Sequence, residues 1–398
     1  MSQTEEGAAA PHEALKGIRV VDFTIVMAGP MCTRMLADVG ADVIKIESSV
    51  GDLVRQRQPK KGEVSAYFAS LNCGKRSIVL DLQSDEGREI AQQLIESADV
   101  VVESFRPGVM QRLGLDYAAM SAKNPRLIYC SVSGFGQTGP RAKSPGIAPV
   151  IHAKSGYDLA FMGYQNNSER PANNGIFIAD VLAAGHATAA INLALFDRER
   201  TGRGQSIDVA LIESVLSMLV YEVQEAQAPD LKPRQVYQPV RANDGFVMVA
   251  AISPKNMETL FNVIGLPELK NDPRFATVSA KEDNWHALLA IIEGWTSQRS
   301  AIECEQTFMA AGVPSARYAT VAEAMADPQI RGRGTLERIG NDDFNFEVVN
   351  PPFKMSGTVA KARQRIPGLG EHTDEVLKEV LGLDPTSPKV LRAKGQSK

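Results

Sequence analysis

Along the first third of the chain, short β-rich runs alternate with stretches of helical periodicity. Ile18-Arg-Val-Val-Asp-Phe23 predicts a strand, Ala28-Gly-Pro30 opens a helix to about Asp38, and Asp42-Val-Ile-Lys-Ile-Glu47 predicts a second strand. Strand, helix and strand within about thirty residues make a βαβ unit, and therefore a parallel sheet. The alternation continues with a strand at 77–82, a helix at 84–97, a strand at 99–103, a helical patch at 107–123 and a strand at 127–133. Such a series predicts a doubly wound α/β domain.

A long alanine-rich helix is expected from 180 to 198, then a strand at 205–211 and an amphipathic helix at 211–226. The segment 227–234, which carries Pro229 and Pro233, reads as a linker, and beyond it the texture changes. A hairpin around Asn243-Asp-Gly245 and helices near 254–264, 283–296 and 300–311 suggest a smaller α+β domain ending near 330. Phe344 to Lys354 is strand-like again, and a last helix follows Gly368-Leu-Gly-Glu-His-Thr-Asp374.

A net charge of −4 gives no electrostatic case for nucleic acid or anionic lipid as the main partner. The four cysteines (Cys32, Cys73, Cys130, Cys304) are widely spaced, with no CxxC pair and no matching histidine cluster, so free thiols in a reducing cytoplasm are expected and no metal site. Met1 to His12 reads as a loose tail without an apolar core. The longest apolar run, around 181–195, is interrupted by Gly185, His186, Thr188 and Asn192 and is expected to be too short to span a bilayer.

Within that run stands one carboxylate, Asp180. Burying an unpaired carboxylate is costly, so it must be neutralised, serve as a cap, or do chemistry. Capping the 181–197 helix and acting as a nucleophile are compatible, because a helix N-terminus favours the charged form. A carboxylate attacking a thioester yields an acyl–aspartyl anhydride, and apolar surroundings protect it from water. The first βαβ unit invites a dinucleotide reading with Glu47 as the ribose acid, but Thr24-Ile-Val-Met-Ala-Gly-Pro30 lacks the glycine-rich fingerprint, and no P-loop occurs. Lys75-Arg76, Arg106, Arg112, Arg141 and Lys143 follow strands or open helices, where a phosphate-bearing cofactor would meet them. His152 and His186 sit in apolar segments and read as core or helix-face residues, and Ser155-Gly156 lacks the flanks of a nucleophile elbow.

Taken together, Ala28-Gly-Pro30, Leu36-Ala-Asp38, Gly40-Ala-Asp-Val-Ile-Lys-Ile-Glu47, Asn72-Cys-Gly-Lys-Arg-Ser77, Val102-Glu-Ser-Phe-Arg-Pro-Gly108, Ser133-Gly-Phe-Gly-Gln-Thr-Gly-Pro140 and Thr201-Gly-Arg-Gly-Gln205 resemble the class III CoA-transferases. That group includes formyl-CoA and carnitine CoA-transferases and the 2-methylacyl-CoA racemases. The resemblance runs from Leu15 to Leu377. It implies a Rossmann-like large domain built from 1–226 and 331–398, a small domain at 227–330, and an interlocked homodimer of ring-shaped chains. It implies that Asp180 is the catalytic aspartate. Contacts to coenzyme A, carried as the acyl-CoA substrate, would fall on Met27, Ala28, Leu80 to Gln83, Ser104, Phe105, Arg106 and Arg112, with Lys143 as a further basic contact.

Departures from the family pattern narrow the expectation. Formyl-CoA transferases carry Gln at Met27 and a glycine run near 227–238; neither is present, so formate/oxalate exchange is not expected. The arginine that usually follows the second strand's Glu is Ser48, and the usual Gly-Tyr-acid triplet is Gly146-Ile147-Ala148. Racemases place His where this chain has Ile147, and proton transfer on both faces of an α-carbon needs two acid/base groups. The expected activity is therefore transfer of CoA from an acyl-CoA to a free carboxylic acid, with a small dicarboxylate pair such as a succinyl-CoA donor suggested by family habit. A racemase or other CoA-thioester isomerase, and a non-catalytic CoA-binding protein, are the alternatives.

Overall fold

The computed structural model describes residues 12–165, 169–171, 174–228, 230, 236–251, 253–341 and 343–395. Residues 1–11 of the expected tail and most of the expected linker lie outside them. The chain divides into two units, Met1–Val223 with Arg331–Lys398, and Gln224–Ile330.

In the first unit the elements run β1 (Arg19–Phe23), α1 (Ala28–Asp38), β2 (Asp42–Glu47), α2 (Ala66–Asn72), β3 (Arg76–Val79), α3 (Asp85–Glu96), β4 (Val100–Glu103), β5 (Ile128–Ser133), α4 (Ala148–Lys154), α5 (Ile178–Thr201), β6 (Ser206–Ala210) and α6 (Leu211–Met218). The six strands pair in parallel in the order β3-β2-β1-β4-β5-β6. That is the doubly wound order, and its direction reverses between β1 and β4, where such sheets open a ligand crevice.

Strand residues alternate between two apolar layers. Val20, Val43, Val100 and Ile128 pack with α1 and α5, whereas Val21, Ile44, Val101 and Tyr129 pack with α3 and the helices Thr373–Leu381 and Pro388–Ala393. A parallel sheet covered on both faces needs such unbroken apolar strands. On α5, Ala183, Ala184, Ala187 and Ala194 form the buried stripe, so small side chains let it lie close to its neighbours. Gly202 ends the helix in the left-handed conformation.

Two sequence expectations need correction here. Helix α5 is 24 residues long and by length and composition is apolar enough to cross a membrane, because Ile178 and Ala179 extend the run on one side and Phe196 on the other. The 107–123 patch is two short helices, Val109–Arg112 and Tyr117–Ser121, separated where Gly114 takes φ +70°.

The second unit contains an antiparallel sheet of Ser315–Arg317, Phe246–Val249 and Val240–Arg241. The hairpin turns at Asn243–Gly245, with the Ala242 N–H donating to the Gly245 carbonyl at 2.9 Å. Leu260, Phe261, Leu288, Ile292 and Phe308 from its helices fill the core.

The turn after β1 is folded tightly upon itself. A Cβ on Gly29 would lie 2.3 Å from Thr24 Cβ, a separation that only glycine permits. Gly29→Ala is expected to lower stability by about 1–3 kcal/mol through overpacking, read as a fall in the urea midpoint at unchanged slope.

Candidate active site

A cleft of about 600 Å³ opens at the carboxyl ends of β1, β4 and β5, at the reversal point of the sheet. The turn Ile25–Gly29, the segment Ser104–Pro107 and Ser133-Gly134 supply its floor. Arg57, Tyr67 from α2, Ile147 and Phe177 contribute further lining, together with Asp180 from α5. Among the described lining residues, Asp180 is the only carboxyl group, and none is a histidine.

Asp180 is not the cap expected from the sequence. The helix starts two residues earlier, at Ile178, with Phe177 in the cap position and no side-chain cap hydrogen bond, so Asp180 lies in the first turn. Burial pushes its carboxyl up to about 6, and the hydrogen bond from the Ala28 backbone N–H opposes that rise. Ala28 is the first residue of α1. The carboxylate thus faces the N-terminus of one helix while belonging to the first turn of another, and both ends favour negative charge.

His152 fixes the turn that carries Asp180. It is buried on α4, and its Nε2 accepts the Ala179 backbone N–H at 3.2 Å. The accepting nitrogen must be unprotonated, and burial pushes this imidazole below its ordinary value. His152 is therefore a structural acceptor in the core. His186, by contrast, is an exposed helix-face residue whose Nδ1 lies 3.1 Å from Ser214 Oγ.

Tyr67 and Arg57 carry no sequence signal as site residues. Burial raises the Tyr67 phenol, the Asp180 charge adds to the rise and Arg57 opposes it. Only the Ser65 cap, which accepts the Phe68 N–H at 3.2 Å, marks the start of the helix that presents Tyr67.

Met27, Ala28, Ser104, Phe105, Arg106 and Asp180 meet in the cleft. Leu80, Gln83, Arg112 and Lys143 do not line it: Leu80 is buried in the layer behind the sheet, and the other three are exposed outside the cleft. Lys75 and Arg76 are not available to a phosphate. Lys75 Nζ is buried and bonded to Asp22 at 3.0 Å and Asn72 at 2.8 Å, while Arg76 pairs with Asp42, Glu375 and Glu379. Glu47 is equally committed, bonded to Arg55 at 2.6 Å and to Ser77 Oγ at 2.6 Å, which removes it as a ribose ligand. Ser48 is exposed beside it. All four cysteines are buried free thiols, and among the described residues no cluster of three or more His, Cys, Asp or Glu could hold a metal.

A parallel sheet of this order, with one half-buried carboxylate at its switch point, defines an α/β enzyme acting on a ligand bound across the strand ends. Residues 15–373 match the description "CoA-transferase family III", and the chain belongs to that family. It is 33% identical to a succinate–glutarate CoA-transferase of Agrobacterium fabrum, over 94% of this chain and 97% of that one. It is also 33% identical to a succinyl-CoA–D-citramalate CoA-transferase of Chloroflexus aurantiacus, over 96% and 98%. The crystal structure of a CAIB/BAIF family protein from Brucella suis superposes with a TM-score of 0.81 at 35% identity, covering 93% of this chain and all of that one. The chain is accordingly a CoA-transferase.

His152 sets a pH dependence of stability. Its folded value is depressed, so below about 6.5 the unfolded chain binds the extra proton; its contribution is complete above that pH and is lost as the pH falls. Asp180, raised in the fold, acts with the opposite sign. Comparing urea midpoints at pH 7.5 and 5.5, His152→Gln, which still offers Ala179 an acceptor, should lose less stability on acidification than the parent chain.

Proposed function

We propose that this chain transfers CoA from an acyl-CoA to a free carboxylic acid through covalent intermediates on Asp180. What carries the reading is the single carboxylate of the cleft: half-buried, ionised above about pH 6, and met by the Ala28 N–H. An Asp180 oxygen attacks the thioester carbonyl, the C–S bond breaks, and an acyl–aspartyl anhydride and CoA thiolate result. The thiolate attacks Cγ of Asp180, releasing the donor acid and leaving an aspartyl–CoA thioester. The acceptor carboxylate then attacks the same carbon and expels the thiolate, which finally attacks the new acyl carbon and restores the free carboxylate. No net proton is consumed.

Two of these steps place negative charge on an oxygen of the aspartyl group itself. The N–H already bonded to that group is the natural oxyanion donor, and it belongs to a rigid turn. The cleft holds no second carboxyl or imidazole among its described lining residues, which suits one nucleophile better than the two-base chemistry of a racemase.

The acids exchanged are taken to be small dicarboxylates, with succinyl-CoA as donor. Arg57 and Arg106 line the cleft without an ion-pair partner among the described residues, so a distal carboxylate would find a cation there. The names of the two curated relatives point the same way. Met27, Ala28, Ser104, Phe105 and Arg106 are proposed to hold the CoA moiety near Asp180. The working form is proposed to be an interlocked homodimer in the cytoplasm. Val181, Leu193 and Phe196 on α5, with Leu216 and Val220, expose apolar surface that a second copy would cover.

Asp180→Ala should lower exchange of succinyl-CoA with labelled succinate by at least ~10³-fold while leaving CoA affinity within a few-fold. In the parent enzyme kcat/KM should rise with pH through about 6 and level above it, because only the carboxylate attacks. Near-normal turnover by Asp180→Ala would refute the mechanism.

A further inference from the structure

We propose that the buried Lys45–Asp52 ion pair is a positioning device: it holds Val26 in a left-handed backbone conformation and so sets the Ala28 N–H on the Asp180 carboxylate. Its consequence for turnover rests on the reading of Asp180 as nucleophile; the placement itself does not.

Val26 has φ +69° and is the only non-glycine residue at positive φ among the described residues. A β-branched residue there is strained, and such a conformation persists only where its surroundings over-determine it. Here the surroundings can be named. The Val26 N–H is shared between both Asp52 carboxylate oxygens at 3.3 Å each. Asp52 also accepts the Val54 N–H at 3.1 Å, and its other oxygen lies 3.1 Å from Lys45 Nζ. The same ammonium donates to the Thr24 carbonyl at 2.7 Å. One ion pair therefore grips the backbone on both sides of Ile25, whose own N–H donates to Ser104 Oγ at 3.2 Å. Upstream, Thr24 is anchored by its N–H to Asp22 at 2.9 Å. Two residues beyond Val26, helix α1 begins at Ala28, which lines the cleft together with Asp180 and whose backbone opposes the burial-driven rise of that carboxyl.

Neither member of the pair can act on a substrate. Lys45 and Asp52 are buried, and neither lines the cleft. A buried ion pair contributes little net stability against an apolar replacement, so its retention here calls for another role. Holding a strained turn in register beneath the cleft supplies one.

The charged and titratable groups that line the cleft with Asp180 are Tyr67, Arg57 and Arg106, and His152 is bonded to the neighbouring Ala179; the test alters none of them, although Tyr67 also senses the Asp52 charge. The direction of the effect separates positioning from plain electrostatics. Removing the Asp52 charge alone would ease ionisation of Asp180, whereas losing the Ala28 hydrogen bond makes ionisation harder.

The test is a ¹³C NMR titration of the full chain labelled at the aspartate carboxyl carbon, with the Asp180 signal identified by its absence in Asp180→Asn. Asp52→Ala, and the charge-free pair Lys45→Met/Asp52→Asn, should raise the Asp180 midpoint by at least half a pH unit, roughly threefold in proton affinity. Adding Val26→Gly should bring it back toward the parent value, since glycine takes positive φ without restraint. An unchanged or lowered midpoint in a folded variant, or a rise that Val26→Gly does not relieve, overturns the proposal. So does failure of both Asp52 variants to fold, which would assign the pair to the fold itself. Succinyl-CoA exchange measured alongside should lose about tenfold in kcat with KM nearly unchanged. A shifted midpoint in a chain with no exchange activity would leave the positioning intact and refute the transferase chemistry.

Discussion

Burying a carboxylate raises its affinity for a proton, and the surroundings of Asp180 are arranged to moderate that rise. Its environment pushes the group up to about 6, high enough to register desolvation and low enough to leave it mostly charged near neutrality. One backbone group opposes the rise, and a second bond holds the turn that carries the carboxylate. The Ala28 backbone at the start of α1 lowers the proton affinity of the carboxyl, and the first turn of α5 is pinned by His152 through the Ala179 N–H at 3.2 Å. A carboxylate left in bulk water would be better solvated and a weaker nucleophile; one sealed without donors would be protonated.

The topology explains why these pieces can meet. With the strands in the order β3-β2-β1-β4-β5-β6, the connections after β1 and β4 depart to opposite sides and leave a gap above the sheet. The dinucleotide folds with this strand order fill that gap with a glycine-rich turn. Here the turn after β1 carries a single glycine, Gly29, and gains its shape from buried charges beneath it. The order of strands is thus shared, while the chemistry at the switch point differs.

Much of this was legible in the sequence, for reasons that can be stated residue by residue. The first βαβ unit was readable because Val20-Val21 and Val43-Ile44 face two covered layers and so form unbroken apolar runs. Asp180 stood out as the one acid in an apolar stretch. Its exact helical position did not, because Phe177 in the cap position carries no capping side chain. Lys45 was unreadable: in Asp42-Val-Ile-Lys-Ile-Glu47 it occupies a polar place that looks solvent-facing, yet it is fully buried against Asp52. Tyr67 and Arg57 were missed because their relation to Asp180 exists only across the folded sheet. Lys75 and Arg76 misled for the converse reason, since their partners Asp22, Asp42, Glu375 and Glu379 come from distant segments.

Oxygen transfer into the protein tests the central chemical claim most directly. In the proposed cycle the bridging oxygen of the second anhydride comes from the acceptor acid and stays with Asp180 when the thiolate attacks the acyl carbon. Turnover of succinyl-CoA with [¹⁸O]succinate, followed by peptide mass spectrometry, should therefore load ¹⁸O onto the carboxyl of Asp180 and onto no other acidic side chain. Sustained turnover that leaves Asp180 at natural isotopic abundance would contradict the account.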